Sequence, residues 1–581
     1  MTAFLGVEAS ATGRRWVGPG ANQERLAEAI VQEAGLPAPL CRTLARLGVG
    51  PEEVIGYLSP TLRNLMPNPS GFRDMDAAAE RLVAAAKMRQ RVAVFADYDV
   101  DGGSSAALLT AWFRHYGVNI TAYVPDRVDE GYGPNAPAMR GLAKCHDLII
   151  CVDCGTLSHE ALAAVKGTDV IVLDHHQGGE THPPALAVVN PNRQDEDTPH
   201  TYLCAAGVVF LCLVACNRIV RGTGMAEVPL IPMLDLVALA TVADVAPLRG
   251  FNRALVRQGL AVMSRRARPG LVALSDAARL TSAPTVYHLG FVFGPRINAG
   301  GRIGRGDLGV RLLSTQDMAE AEALAEKLSA LNQERRDIET RVRLQAMEQA
   351  ATRNPEAPLV WAAGPNWHPG VVGIVAARLK EATNRPAVVI GLEGGEGKGS
   401  GRSVTGIDLG SAIATCTREG LLLKGGGHSM AAGLTVAEDK IEAAMARLGA
   451  LLKKQGAGAR GPKDLLLDGV VYARGATVDL IGQLETAGPF GAGAPAPRFA
   501  LPAQRITFAK RAGESHLRLT VTDDSGARLD AMCFLAFDSP LGPMLENHGG
   551  VRIHLAGQLE IDDWGGHRKP RLRLEDAAIA T

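Results

Sequence analysis

The hydrophobic rhythm of the chain changes several times along its length. Up to about residue 85, short amphipathic runs such as Pro51-Glu-Glu-Val-Ile-Gly-Tyr-Leu58 and Asp76-Ala-Ala-Ala-Glu-Arg-Leu82 are cut by Pro and Gly, predicting a helical extension over 1–85. From 91 onward, short apolar runs alternate with helical ones. The runs at 91–96, 119–124, 147–152, 169–173 and 186–189 are mostly apolar throughout, as strands covered on both faces are. Strands alternating with helices predict an α/β domain over 86–314 built on a doubly wound parallel sheet. Between 315 and 354 neither Pro nor Gly interrupts the chain, and Leu324, Leu328, Leu331, Ile338 and Val342 share one helical stripe. A helix of that length spans roughly 50–60 Å and suits a strut between two domains. A second α/β unit is expected over 355–456, followed by a Gly-rich linker, Gly456-Ala-Gly-Ala-Arg-Gly-Pro462. Over 463–581, short strand-like runs at 465–471, 504–508, 517–521, 528–534, 551–559 and 571–574 predict a small β-barrel.

Composition narrows this picture. A chain of 581 residues is too long for one core and suggests several domains. Formal net charge is zero, so any polyanion site must be a local basic track. No apolar run approaches the ~18–20 residues of a membrane span, and Met1-Thr-Ala-Phe-Leu-Gly-Val-Glu8 lacks the regions of a secretory signal. The nine cysteines are odd in number, which argues against a disulfide framework. Cys151-Val-Asp-Cys154 has no second pair at zinc spacing, so buried thiols are expected. A cytoplasmic protein without membrane contact fits best.

The chemistry concentrates in Asp97-Tyr98-Asp99-Val100-Asp101-Gly102, which follows the first apolar run. A calcium loop with this opening needs a bidentate Glu at its twelfth position, and Leu108 stands there. A solvated, helix-capping turn is the other plain reading. Similar groups recur after later apolar segments: Asp153 in Val-Asp-Cys-Gly, Asp174-His175-His176, and Asp244 in Ala240-Thr-Val-Ala-Asp. Carboxyl ends of parallel strands share one edge of a sheet, so these groups can meet in one crevice. Carboxylates with a minority of imidazoles suit manganese or magnesium better than zinc. Ligands suffice for two ions, an arrangement that serves hydrolysis of phosphate esters.

Asp97-Tyr-Asp-Val-Asp-Gly, Val152-Asp-Cys-Gly and Asp174-His-His resemble the DHH phosphoesterase superfamily. In order and reach, over roughly 35–575, the motifs resemble the RecJ family of bacterial single-strand-specific 5′→3′ exonucleases. Pro295-Arg-Ile-Asn-Ala-Gly-Gly-Arg302 is similar to a further motif of that family. Asn366-Trp-His-Pro-Gly, Ser400-Gly-Arg-Ser403 and Gly425-Gly-Gly-His-Ser-Met-Ala-Ala-Gly433 resemble the DHH-associated domain, and Pro489-Phe-Gly-Ala-Gly493 the start of an oligonucleotide-binding (OB) barrel. Departures at Ala96, Gly103-Ser104 and Ala494 remove none of the expected metal ligands.

The resemblance implies that Asp97 ligates one ion, Asp99 the other, and Asp153 both, with His175 and Asp244 completing the set. His176 would then face the scissile phosphate, while Asp101 and Asp174 orient ligands or cap helices. It implies 5′-phosphate and DNA contacts by Ser400, Arg402, Ser403 and His428, and by Arg296, Asn298 and Arg302 at the joint between units. In the barrel, Arg498, Phe499, Lys510, Arg511 and Arg518 are candidates for DNA contacts. Single-stranded DNA is the expected partner, with single-strand-binding protein and a repair helicase beside it, in recombination and mismatch repair. ATP is not expected, because Lys398 in the run Gly394–Ser400 is followed by Gly. A superfamily enzyme for oligoribonucleotides or cyclic dinucleotides would lack the β-rich tail, and a decayed, non-catalytic scaffold would lack ligands.

Overall fold

The computed structural model describes residues 3–126, 130–458, 464–563 and 567–580. Part of the expected linker, 459–462, lies outside the described residues. Strand β1 (Trp16–Val17) precedes a sheet of β2 (Val92–Ala96), β3 (Thr121–Tyr123), β4 (Leu148–Val152), β5 (Asp169–Leu173) and β6 (Ala187–Val189). These pair in the order β3-β2-β4-β5-β6, every pair parallel, as the unbroken apolar runs predict. Side chains alternate across the sheet: Val92, Val94 and Ala96 join the large core beneath one helical layer, while Ala93 and Phe95 join a separate core on the opposite face. Both faces are covered, as in a doubly wound sheet.

The helix Met318–Thr352 is capped by Asp317, whose side chain accepts from Ala319 N and Glu320 N. Its 35 residues span about 52 Å. Ala321, Leu324, Ala325 and Leu328 belong to the first core, and Val342 and Ala346 to a core of the second unit, so one helix is stitched into two domains. In that unit β7 (Val360–Pro365) runs parallel to β8 (Ala387–Glu393). Antiparallel β9 (Glu396–Arg402), β11 (Ala431–Ala437) and edge strand β10 (Lys424–Gly427) complete a mixed sheet.

After β12 (Leu465–Leu466), the strands β13 (Phe499–Ala512), β14 (His516–Thr522), β15 (Arg528–Cys533), β16 (Ile553–Asp562) and β17 (Lys569–Ile579) form a closed barrel. Of the strand expected at 465–471 only β12 forms. The order β13-β14-β15-β17-β16 is that of an OB-fold.

The expected extension over 1–85 is not one body. Trp16 is fully buried and donates from Nε1 to Asp576 at 3.0 Å, β1 pairs with β12, and Ala27, Ile30, Leu40 and Leu44 enter the barrel's core. The helix Met75–Lys87 instead packs into the core of the first sheet. Short helices carry no signal of which distant apolar face will cover them.

Candidate metal centre

β2 ends at Ala96, and the chain turns through Asp97 into the helix Val100–His115. Asp99 caps that helix, its Oδ1 accepting from the N–H of Asp101 at 2.8 Å and of Gly102 at 3.1 Å. A Cβ on Gly102 would stand 2.4 Å from the Asp97 carbonyl oxygen, so only glycine lets the turn close this tightly. Beyond β4, Asp153 takes φ = 60° and donates its N–H to Leu173 O at 3.1 Å. A non-glycine residue in that region is uncommon and clusters at functional positions.

Asp174, beyond β5, is a structural acceptor. Its Oδ2 takes the N–H of Thr156 at 3.1 Å and the Thr156 hydroxyl at 2.7 Å, and its Oδ1 takes the N–H of His175 at 2.7 Å and Nδ1–H of His176 at 2.8 Å. Asn190 donates to Thr156 Oγ1 and His176 O, both at 2.8 Å, and Asn192 to His175 O at 2.6 Å. The two histidines are thus held from the backbone outward. Asp101 is likewise a support: its carboxylate accepts from Ala205 N at 2.6 Å and Ala206 N at 2.8 Å, at the start of the helix Ala205–Arg221.

Asp244 corrects one expectation. It follows the helix Leu234–Ala243, as its C-cap, and not a strand. That helix is buried on nearly every side, so its sequence shows no amphipathic period to distinguish it from a buried strand.

All six expected residues nevertheless converge. Donor atoms of Asp97, Asp99 and Asp153 lie within 4.8 Å of one another, as do those of Asp153, His175 and His176, and those of Asp101, His175 and Asp244. His175 Nε2 is 3.2 Å from Asp153 Oδ1, and its Nδ1 is 3.9 Å from Asp244 Oδ2. Burial, then the charges of Asp99, Asp101, Asp97 and Asp244, push Asp153 well above the usual carboxylate range. Burial with Asp101 and Asp99 raises Asp244 to about 8. Burial disfavours protonation of His176, but the hydrogen bond and charge of Asp174 outweigh it and lift the imidazole to about 9. Acids that raise one another so strongly form a site that divalent cations relieve, and the oxygen-rich donor set fits manganese or magnesium.

Tyr132 is a member of the site that the motifs did not single out. Its hydroxyl lies 3.1 Å from Asp153 O and 3.1 Å from His176 Nε2, so it can donate to the carbonyl and accept from the imidazole. The available signal was Glu130-Gly131-Tyr132-Gly133, two left-handed glycines flanking an aromatic beyond β3.

Asn298 and Arg302, on the helix Gly294–Ile303, line a cleft of about 480 Å³ whose walls include Ala243, Phe291, Arg335, Arg336 and Ile374. Arg302 Nη1 donates to Gly370 O at 3.0 Å, joining the two α/β units. Arg296 donates to Val292 O at 2.8 Å. Ser400 and Arg402 lie in β9, with Arg402 Nη1 donating to Ser400 Oγ at 3.0 Å. Ser403 is buried and donates to Ile407 O at 2.8 Å, which removes it from the contact set. His428 is exposed just beyond β10, the strand that the Gly-rich run before it forms. Glycines make close contacts here: a Cβ on Gly401 would stand 2.6 Å from Leu409, and one on Gly425 2.7 Å from Ile413.

In the barrel, Phe499 is a core residue, Arg498 pairs with Glu575 and Arg511 with Glu546, both at 2.6 Å. Phe508 on β13 is 46% exposed, and Phe534, 44% exposed just beyond β15, has the His516 ring at 5.5 Å and the Arg573 guanidinium at 5.5 Å. The β14–β15 surface is where OB-folds take oligonucleotides. Eight cysteines, Cys151 and Cys154 among them, are buried free thiols.

Three family models match successive parts of the chain. Residues 91–241 match the DHH family, N-terminal domain; 356–454 match the DHHA1 domain; and 467–576 match the RecJ OB domain. The chain is 37% identical over 572 residues to the single-stranded-DNA-specific exonuclease RecJ of Dickeya dadantii strain 3937, covering 93% of this chain and 96% of that protein. The crystal structure of Thermus thermophilus RecJ in complex with Mn2+ superposes with a TM-score of 0.79 at 29% identity, over 97% of this chain and 79% of the other. Its Mg2+ complex gives a TM-score of 0.73 at 27% identity, over 97% and 78%. With identity sustained across nearly the full length of such a relative, and matches to three domain models that include the RecJ OB domain, this chain belongs to the RecJ family.

Proposed function

We propose that the chain is a metal-dependent exonuclease that hydrolyses single-stranded DNA from its 5′ end to 5′-mononucleotides, in recombination and mismatch repair. The observation that carries this reading is the convergence of Asp97, Asp99, Asp153, His175, His176 and Asp244 on one site in a member of this family. Asp97 and Asp99 would each hold a different ion, Asp153 both, and His175 and Asp244 complete the set. Two divalent ions, when bound, lower the pKa of a water and stabilise attacking and leaving oxygens. His176, its Nδ1–H fixed on Asp174 and its Nε2–H held by the Tyr132 hydroxyl, would turn that Nε2–H from Tyr132 to charge developing on the scissile phosphate. Asn298 and Arg302 line the strand's path between the units, and Arg296 stands behind it. Ser400, Arg402 and His428 take the 5′ phosphate, which sets the direction of digestion.

Phe534, His516 and Arg573 receive the incoming strand on the barrel by stacking and charge. No described helix is long and apolar enough to cross a membrane. We place the enzyme in the cytoplasm, beside single-strand-binding protein and a repair helicase, without ATP of its own.

The deciding assay compares a 5′-phosphorylated single strand with blunt duplex in Mn2+, Mg2+ or chelator. Equal digestion of both, or digestion that survives chelation, rejects the reading. Arg402→Ala should reduce the preference for a 5′ phosphate and leave metal uptake intact.

A further inference from the structure

The segment 489–494, whose motif resembles the start of the barrel, spans two cores, with Phe490 packed against that of the barrel. The carbonyl of Ala492 accepts the N–H of Leu248 at 2.7 Å, and Ala494, 2% exposed, is a member of the first α/β unit's core. The fit leaves no room for side chains. A Cβ on Gly491 would stand 2.7 Å from Leu248 Cδ1, and one on Gly493, at φ = 68°, 2.9 Å from Pro247 Cβ. A bridge between Gly491 and Ala494 closes the turn on itself.

Leu248 lies four residues beyond Asp244, and the link between them is strained. Val245 has φ = 59°, a conformation that a β-branched residue adopts only when its surroundings impose it, and its side chain is 70% exposed. The constraint therefore comes from the two ends. On one side Asp244 N–H donates to Ala240 O at 2.9 Å and Ala246 N–H to Thr241 O at 3.1 Å, continuing the helix end. On the other, Asn252 Nδ2 donates to Pro247 O at 3.1 Å, and Ala492 holds Leu248.

We propose that the 489–494 turn is a positioning device for Asp244, through which docking of the barrel domain completes the metal centre. The inference rests on Asp244 being a ligand, as under the proposed function. It makes the barrel more than a holder of DNA: the turn clamps Pro247 and Leu248, the strained link transmits that constraint, and the Asp244 carboxylate is held at ligand distance from its neighbours.

The test uses the full-length chain carrying Gly493→Ala, which adds backbone strain and a clash with the rigid Pro247 ring. Mn2+ binding is followed by the electron paramagnetic resonance of free Mn2+, independently of turnover. Loss of positioning should weaken the affected ion about tenfold, the size of effect seen when a ligand loses its orienting partner. The Mn2+ needed for half-maximal hydrolysis of a dinucleotide, too short to reach the barrel, should rise in parallel. Affinity for oligothymidylate in chelator should stay unchanged, and adding Pro247→Gly, which removes the clashing Cβ but not the backbone strain, should recover part of the lost Mn2+ affinity. An unchanged isotherm overturns the proposal, and if oligothymidylate affinity falls instead, the turn is a DNA contact. Should Gly493→Ala not fold, Gly491→Ala, which adds no positive-φ strain and meets the Leu248 side chain first, is read in the same way. Normal Mn2+ uptake by the parent chain without hydrolysis would reject the exonuclease reading and leave this proposal to its own isotherm.

Discussion

Asp101→Asn separates a support from a ligand. Asp101 shares a candidate metal group with His175 and Asp244, its Oδ2 being 3.7 Å from His175 Nε2. Yet both of its oxygens already accept N–H groups, at 2.6 and 2.8 Å, at the positive end of the helix Ala205–Arg221. A hydrogen bond to a charged group contributes ~1.5–3 kcal/mol. Favourable charge–dipole interaction at a partly buried helix end adds up to ~2 kcal/mol. Asn retains one acceptor oxygen, turns an N–H toward the other donor and removes the charge. One bond and most of the dipole term are lost, for a destabilisation of about 3 kcal/mol. Urea unfolding followed on the catalytic domain should show that loss. Mn2+ titration should still find two ions, bound more weakly because His175 has lost a neighbour. Unaltered stability together with the loss of one ion would refute the reasoning and make Asp101 a ligand.

Phe534→Ala should weaken oligothymidylate binding by ~1–3 kcal/mol, the usual loss for one stacked base, and leave dinucleotide hydrolysis unchanged. Binding that is insensitive to the change would move the DNA face elsewhere on the barrel. Ser403→Ala, which leaves the buried Ile407 carbonyl without its donor, should cost about 1–2 kcal/mol of stability and no DNA affinity. A weaker complex at unchanged stability would return Ser403 to the contact set. Alkylation of the native protein should stop after Cys145, the exposed thiol, and reach all nine cysteines in denaturant. Rapid native modification of Cys151 or Cys154 would contradict their burial.

Much of the metal centre is legible from the chain because strand ends are legible. Asp97, Asp153 and Asp174 each follow an unbroken apolar run, and parallel pairing sends the carboxyl ends of all such runs to one edge. The supports of the two histidines, Thr156, Asn190 and Asn192, carry no such mark, being ordinary polar residues in loops. Tyr132 reaches the site only because a loop folds back over Asp153.

What the sequence by itself determined is therefore periodic or local: the buried parallel strands, the long strut helix, the exclusion of a calcium loop by Leu108, and the acids and imidazoles at strand ends. Tertiary structure decided whatever depends on which distant surface covers a segment. It placed Asp244 at the end of a helix whose uniform burial erases its period, Phe499 inside the barrel, and Ser403 away from solvent. It divided the first 85 residues between two cores, and it set residues 489–494 against the loop beyond Asp244. Periodicity records whether a side chain is buried and in what local geometry. It does not record the partner, because apolar burial is non-directional and one hydrophobic face fits many others until the whole chain has packed.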